Sequence, residues 1–398
     1  MTRTRTDILI AGGGLAGLAT AARLAADGRE VIVVDPAPET AGGGGDLRTT
    51  AFLMPAVETL TRAGAWEAMA GSAAPLATMR LLDAGGRERA VRERADFRAG
   101  ELGRPVFGWN VPNRAAKAAL RARIADLPGV RLMAGTAVTG LVQRSGDAVL
   151  RLSDATQVSA TLAIAADGRD STLRRLAGIG ARRWSYGQRA LVFAVSHEVA
   201  HGDVSTEIHR TGGPLTLVPM PDIGGRPASA VVWMVPGARA ERLAALDDAA
   251  LGTELTADTM GLFGACRVEG ARAVWPIIGQ IAHAMRAGRV AIAGEAAHVI
   301  PPIGAQGLNM SLGDAECLAR LVAGAGAGDI GAPALLDAYQ RRRMPEIAAR
   351  VAGVDILNRF AQAEAQPVRD LRRAGLAAIN RVAPVRRLAM RLGLGVIG

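Results

Sequence analysis

Three glycines at fixed spacing, Gly12, Gly14 and Gly17, follow an apolar run at residues 8–11, and Asp35 closes a second apolar run at 31–34. The chemistry this pattern suits is the binding of a dinucleotide pyrophosphate. Gly12 permits a tight turn after a strand, Gly14 lets a phosphate approach bare backbone, and Gly17 lets the next helix pack closely on the strand. That helix, entered through Leu15 and Ala16, aims unpaired N–H groups and its positive dipole end at the phosphates. Asp35 lies about 20 residues on, where a carboxylate accepts from ribose hydroxyls.

Two further constellations carry chemistry. Ala166-Asp167-Gly168-Arg169-Asp170-Ser171 follows an apolar strand, and Gly294-Glu295-Ala296-Ala297-His298 runs on through Pro301, Pro302, Gly304, Ala305, Gln306, Gly307, Leu308 and Asn309. A decoy lies between them. His197-Glu198-Val199-Ala200-His201 matches a zinc-protease pattern, which works only on a helix that puts both imidazoles on one face. Here it continues a strand-like run and meets Gly202-Asp203, so edge-strand polar residues are the better reading and no metal is expected. His298 reads as a packed or capping histidine in preference to a catalytic base.

The elements that must position these residues alternate between helix and strand up to about 182. A helix is expected at 114–125, and strands at 130–134, 137–143, 148–152 and 162–166. From 190 the period changes to two, at 191–195, 216–218 and 230–235, which implies a mostly antiparallel sheet. An apolar strand at 290–293 and a helix from about Gly307 then resume the first pattern. The fold class is therefore α/β: a Rossmann-like nucleotide domain (1–75, 105–182 and 276–345) interleaved with a β-rich domain (76–104 and 183–275), then a basic helical tail (346–398).

Composition bounds the rest. The chain has 398 residues, of which 49% are apolar, enough for two to three domains. Arg3 and Arg5 ahead of an apolar run could pass for a secretory leader, but the glycine spacing makes that the lesser reading. No apolar run reaches the roughly 18 residues of a spanning helix. Cys266 and Cys317 have no CxxC spacing, so neither a disulfide framework nor a zinc ribbon is indicated, and a reducing cytoplasm fits. The formal charge is +10 with Lys117 the only lysine. The arginines are spread along the chain and not clustered with aromatics, which argues against nucleic acid. Only the tail concentrates them, at Arg350, Arg359, Arg369, Arg372, Arg373, Arg381, Arg386, Arg387 and Arg391 among apolar residues. Such a helix can lie on an anionic membrane surface or pack on the nucleotide domain.

The three motifs, in this order, resemble those of the single-component aromatic-ring hydroxylases, flavoprotein monooxygenases of the para-hydroxybenzoate hydroxylase fold. A finer resemblance, to the ubiquinone-biosynthesis hydroxylases, lies in Asp46-Leu47-Arg48-Thr49-Thr50-Ala51, Tyr186-Gly187-Gln188, Leu357-Asn358-Arg359-Phe360 and the 369–376 region. One departure is plain: the family's third motif usually begins Gly-Asp, and here Gly294 is followed by Glu295, whose extra methylene shifts the carboxylate that accepts from the ribityl chain.

The resemblance implies FAD as cofactor and NAD(P)H as reductant. It gives Arg48 a contact to flavin or pyrophosphate, with the glycines at 42–45 ahead of it forming a mobile loop. It gives Asn113 and Arg114 polar contacts to flavin, where the alternative is an ordinary N-cap. Asp167 and Gly168 would organise the cofactor, where the alternative is an Asp-Gly turn. Gly307, Leu308 and Asn309 would face the flavin pyrimidine edge. Pro302 would sit near the C4a position where O2 adds, giving a C4a-hydroperoxide, and Gly304, Ala305 and Gln306 would complete that catalytic loop. Trp184, Tyr186 and Gln188, alternate residues on a strand, would share a face toward substrate or else form an ordinary core cluster. The implied reaction is hydroxylation of an aromatic ring, a polyprenylated ubiquinone precursor before others, at the inner membrane face or within a ubiquinone-biosynthesis complex. The rivals are a hydroxylase of a small soluble phenol, a flavin-dependent reductase and a non-catalytic quinone-binding subunit.

Overall fold

The computed structural model describes residues 3–38, 48–84, 89–363, 365–381 and 383–394. The glycines at 42–45 and the motif residues Asp46 and Leu47 lie outside the described residues.

The first strand, Arg3–Ala11, pairs in parallel with Val31–Asp35 on one side and Gln157–Ala165 on the other. Val130–Ala134 and Val290–Ile292 extend this parallel sheet outward. Its central strands are near-continuous apolar runs because both faces are covered, and Ile8, Leu9, Ile10, Val33 and Ile164 are fully buried. Helix Leu15–Ala25 packs between Asn113–Ala125 and Gln306–Gly324 on that sheet. The strand expected at 162–166 begins earlier, at Gln157, because its polar start pairs with both Arg3–Ala11 and the antiparallel strand Ala148–Leu152. Neighbour pairing decides what hydropathy alone leaves out.

The second sheet runs, in spatial order, His298–Val299, Arg267–Ala282, Ala181–Ser196, Arg226–Pro236, Gly213–Ile223, Val204–Arg210, Thr78–Asp83 and Glu93–Arg98. One face, with Leu191, Phe193, Leu217, Val231 and Trp233, packs on helices Gly237–Ala245 and Asp248–Asp258. The opposite face, with Ala190, Val192, Met234 and Ile277, packs on Ile303 and on Val354 of helix Pro333–Gln362. Thr49–Leu53, Gly108–Pro112 and Ala74–Leu76 form a small third sheet.

Helix Pro333–Gln362 continues through Pro345, across the position where the basic tail is expected to begin. Leu336, Tyr339, Arg343, Ile347, Val351, Val354, Asn358 and Ala361 form its buried stripe, spaced three and four residues apart. After it, helices Gln366–Arg381 and Ala383–Leu394 bring Leu376, Ile379 and Met390 against Ala95, Phe97, Phe107 and Leu53.

Candidate active site

Sterics require the first and third fingerprint glycines, both of which pack against backbone. Gly12 has φ +110°, and a Cβ there would come within 2.2 Å of the Ala166 carbonyl oxygen; one on Gly17 would come within 1.9 Å of the Gly12 carbonyl oxygen. Gly14 is different, because a Cβ there meets nothing within 4 Å. It occupies the N-cap of helix Leu15–Ala25, and no side chain caps that helix end. An uncapped helix N-terminus opening on free space is a cradle for an anion, and its residues fit a dinucleotide pyrophosphate. Asp35 closes the turn: its Oδ2 accepts from the Gly13 N–H and its Oδ1 from the Ala37 N–H at 2.8 Å.

Each of the other two motifs sits where the chain leaves one sheet for the other. Between Gln157–Ala165 and Ala181–Ser196, Asp167 accepts from the Ser171 hydroxyl and from the Thr172 and Leu173 N–H groups at 2.8 and 3.1 Å. Its carboxylate thus caps the short helix Thr172–Leu176, and Gly168 turns with φ +85°. Between Val290–Ile292 and His298–Val299, Gly294 has φ +61° and donates its N–H to Asp314 Oδ2 at 3.0 Å. Arg174 binds the two crossings together by donating to the Ala296 and Arg169 carbonyls. Gln280 does the same for the Arg169 and Glu295 carbonyls. The Glu295 side chain itself is exposed.

Asp314 anchors this region, and sequence reasoning missed it. His298 Nε2 lies 2.8 Å from its Oδ2, and Arg343 Nε donates to its Oδ1 at 2.8 Å. Burial by itself would raise the Asp314 carboxyl, but the Arg343 charge and His298 hold it below the usual carboxylate range. Tyr339, whose hydroxyl burial pushes well above its ordinary value, donates to the Ile292 carbonyl at 2.9 Å. The only signals in the sequence were an aspartate and an arginine on otherwise apolar helix stripes.

The loop after His298 turns tightly, with the Ile303 N–H donating to the Pro301 carbonyl at 2.8 Å. Gly304 and Ala305 then both adopt left-handed backbone, φ +63° and +57°, immediately before helix Gln306–Gly324. Asn309 holds this geometry. Its Nδ2 donates to the Ala305 and Ala51 carbonyls at 2.6 and 2.8 Å, and its Oδ1 accepts from the Leu53 N–H at 2.8 Å. Its side chain therefore acts as a strand edge for Thr49–Leu53. Pro302 and Gly307 are exposed, Leu308 is half-buried, and a Cβ on Gly307 meets nothing within 4 Å. A second helix N-terminus thus opens on free space. Gln306 and Asn309 also line a cavity of about 320 Å³ between helices Met54–Arg62, Gln306–Gly324 and Pro333–Gln362.

The Arg48 guanidinium lies over the Trp275 ring, 5.2 Å from its centroid, and the Arg48 carbonyl accepts from the Asn113 N–H at 2.9 Å. Asn113 is the first helical residue, not the N-cap, which is Pro112; its Oδ1 accepts from the Thr50 hydroxyl at 2.7 Å. Arg114 is exposed. Trp184 and Tyr186 converge on one carboxylate, donating to Asp355 Oδ1 at 3.0 and 2.6 Å. Burial, helped by Asp355, pushes the Tyr186 hydroxyl far above its ordinary value, so it is a donor at neutral pH. Gln188 donates to the Gly212 carbonyl at 2.9 Å and accepts from Asn358 at 3.1 Å. All three residues are thereby fastened to helix Pro333–Gln362 or its neighbours. The histidine pair at 197 and 201 lies in the turn after Ala181–Ser196, with His197 on Ser229 and the Val199 carbonyl and His201 on the Met220 carbonyl.

The FAD binding domain family matches residues 5–353. The ubiquinone hydroxylase UbiL of Rhodospirillum rubrum is 34% identical over 98% of this chain and 90% of its own. The 3-demethoxyubiquinol 3-hydroxylase of Escherichia coli is 30% identical over the whole of both chains. Among solved structures, p-nitrophenol 4-monooxygenase PnpA of Pseudomonas putida DLL-E4 superposes with a TM-score of 0.79 at 20% identity, covering 98% of this chain and 97% of that one. The likeness to that structure is one of fold.

Proposed function

This chain belongs to the FAD binding domain family, and from that premise we propose that it hydroxylates an aromatic ring with O2 and NAD(P)H, acting on a polyprenylated ubiquinone precursor. The observation that carries the reading is the 301–309 loop: it joins a helix N-terminus open to a ligand with an apolar sheet face, through Ile303, at one point. FAD would be held by Gly12, Gly14, Leu15, Ala16 and Gly17 at the pyrophosphate, by Asp35 at the ribose, and by Gly307, Leu308 and Asn309 at the ring, with Arg48, Asn113, Arg114, Asp167, Gly168, Gly294 and Glu295 around it. When bound, it supplies the exchange of electrons between NAD(P)H and O2 that the protein's side chains cannot provide. The chain's own part is to orient and to exclude water. The helix dipole at Gln306 favours negative charge at the ring edge, Pro302 stiffens the adjacent wall, and Trp184, Tyr186 and Gln188 brace the substrate side.

Two things support a prenylated substrate: the ubiquinone-hydroxylase activities for which the two end-to-end relatives are named, and the surface of the last three helices. Ile356, Leu357, Phe360, Leu371, Val385 and Leu388 are exposed there beside exposed Arg359, Arg373 and Arg387. An apolar and cationic surface suits an anionic membrane in which a lipid substrate dissolves. The test is FAD reconstitution followed by NAD(P)H-dependent O2 uptake with phenols of increasing prenyl length. One oxygen added, with turnover rising with chain length, is expected. A flat series would transfer the assignment to a soluble-phenol hydroxylase, and no flavin binding would end it.

A further inference from the structure

A Glu–His pair that no motif marks lies on the sheet face turned toward the 301–309 loop. Glu207 and His209 are two apart on strand Val204–Arg210, so both point to one face, and His209 Nε2 is 2.6 Å from Glu207 Oε1. Which face follows from register. Val192 pairs with Val232, Val232 with Thr216, Thr216 with Glu207, Glu207 with Leu81, and Leu81 with Ala95, one continuous row. At one end of the row, Val192 and Val232 pack with Ile303 and Val354. At its other end, Leu81 and Ala95 pack with Leu53 and Phe107. Glu207, only 6% exposed, is thus a polar member between two apolar clusters, one containing Ile303 of the 301–309 loop and the other Leu53, whose N–H donates to Asn309. The middle of the row is not closed: Thr216, Val218 and Met220 stay half-exposed. Beside them lies a second acceptor. Asn110, 1% exposed, donates its Nδ2 to the Pro219 carbonyl at 2.8 Å, while its Oδ1 has no partner among the described residues.

We propose that this strip is the ring-recognition slot, with Glu207 as the base that takes the proton of the substrate's ring hydroxyl and His209 as the residue that orients it; this rests on the hydroxylase reading above. The O–H bond of the ring hydroxyl breaks, a Glu207 carboxylate oxygen takes the proton, and the electron pair stays on the ring oxygen, enriching the ring carbons that electrophilic oxygen attacks. Asn110 Oδ1 accepts from a second donor on the ring. With a carboxylate and an unpartnered amide oxygen beside the Thr216 hydroxyl, the slot selects ring hydroxyls and repels ring carboxylates. Among the described residues, the charged groups near the pair include Asp83, in register with His209, the arginines Arg92 and Arg372 that pair with Asp83, Asp370 on Arg92, and Glu93 beyond Asp83. The overlying helix buries only the uncharged Val354, Asn358 and Ala361 at this level.

The test uses FAD-loaded enzyme and 2-prenylphenol, with 3-prenyl-4-hydroxybenzoate as the carboxylated control. In the wild type, bound 2-prenylphenol should ionise at lower pH than in solution, read from phenolate absorbance, and the carboxylated ring should bind poorly. Glu207→Gln should lose that shift and lower kcat about a hundredfold with KM little changed, and its rate should recover at high pH, where the phenol ionises unaided. Glu207→Asp should restore part of both, and His209→Gln, which keeps a donor, should be milder. Hydroxylation by both Glu207→Gln and wild type at the same rate and pH profile, with no shift of the bound phenol, would overturn the base assignment and leave the hydroxylase reading standing. A wild type that hydroxylates no phenol would remove both.

Discussion

Gly14 and Gly17 sit three residues apart and respond to a side chain for opposite reasons. A side chain at Gly14 enters open space, so Gly14→Val should fold and yet exclude the pyrophosphate, weakening FAD binding by more than tenfold in a fluorescence titration while apo-protein stability changes by less than about 1 kcal/mol. Gly17→Ala strikes backbone at 1.9 Å and should destabilise the apo-protein itself. Unchanged FAD affinity in Gly14→Val would mean that the cradle is misassigned. Ala305 carries a different strain. As a non-glycine residue in left-handed backbone it costs about 1–2 kcal/mol, so Ala305→Gly should raise stability by roughly that amount in urea unfolding. The Asp314 site is the most exacting. Removing one partner of a buried ion pair costs about 3–5 kcal/mol, the expected loss for Arg343→Met. Because the folded-state Asp314 carboxyl lies below its unfolded value of 3.8, its contribution is present above that pH and disappears as pH falls through the depressed folded value. Asp314→Asn should flatten that acid limb in a stability-against-pH series.

At the scale of elements, helix Pro333–Gln362 is the member that several sites share. Arg343 reaches Asp314, Asp355 gathers Trp184 and Tyr186, and Asn358 meets Gln188. A truncation at about Ala349, where the basic composition suggests a separable tail, would cut this helix and remove Val351, Val354 and Asn358 from the core. The separable piece starts after Gln362. Removing residues from 363 onward should leave FAD binding intact and expose the apolar surface at Ala95, Phe97 and Phe107. Within the full chain, Met390→Ala should cost about 2–5 kcal/mol of tail docking, measured as faster protease cleavage between the long helix and the tail. Equal cleavage rates would mean that Met390 does not hold the tail down. Docking is also electrostatic: Arg372 pairs with buried Asp83, and Arg386 with Glu101.

Across the whole molecule, the sequence by itself determined the features that depend on backbone sterics at fixed spacing. The Gly12–Gly14–Gly17 turn, the parallel apolar strands, the change to period two and the order of the three motifs all report local requirements, which a string of residue types records directly. The tertiary structure decided whatever depends on how two sheets interleave. The second and third motifs are the crossings between those sheets, a fact invisible in their residues. Partners at Tyr186 and Asp355 lie 169 residues apart, and those at Leu53 and Asn309 256 apart, so no local pattern could pair them. Glu207 and His209 are close in sequence, yet two polar residues on a strand are commonplace until register puts them in a row with Val192 and Ala95. The reach of one side chain is a few ångströms, whereas its place relative to another strand is set by every pairing between them, and that sum exists only in the folded chain.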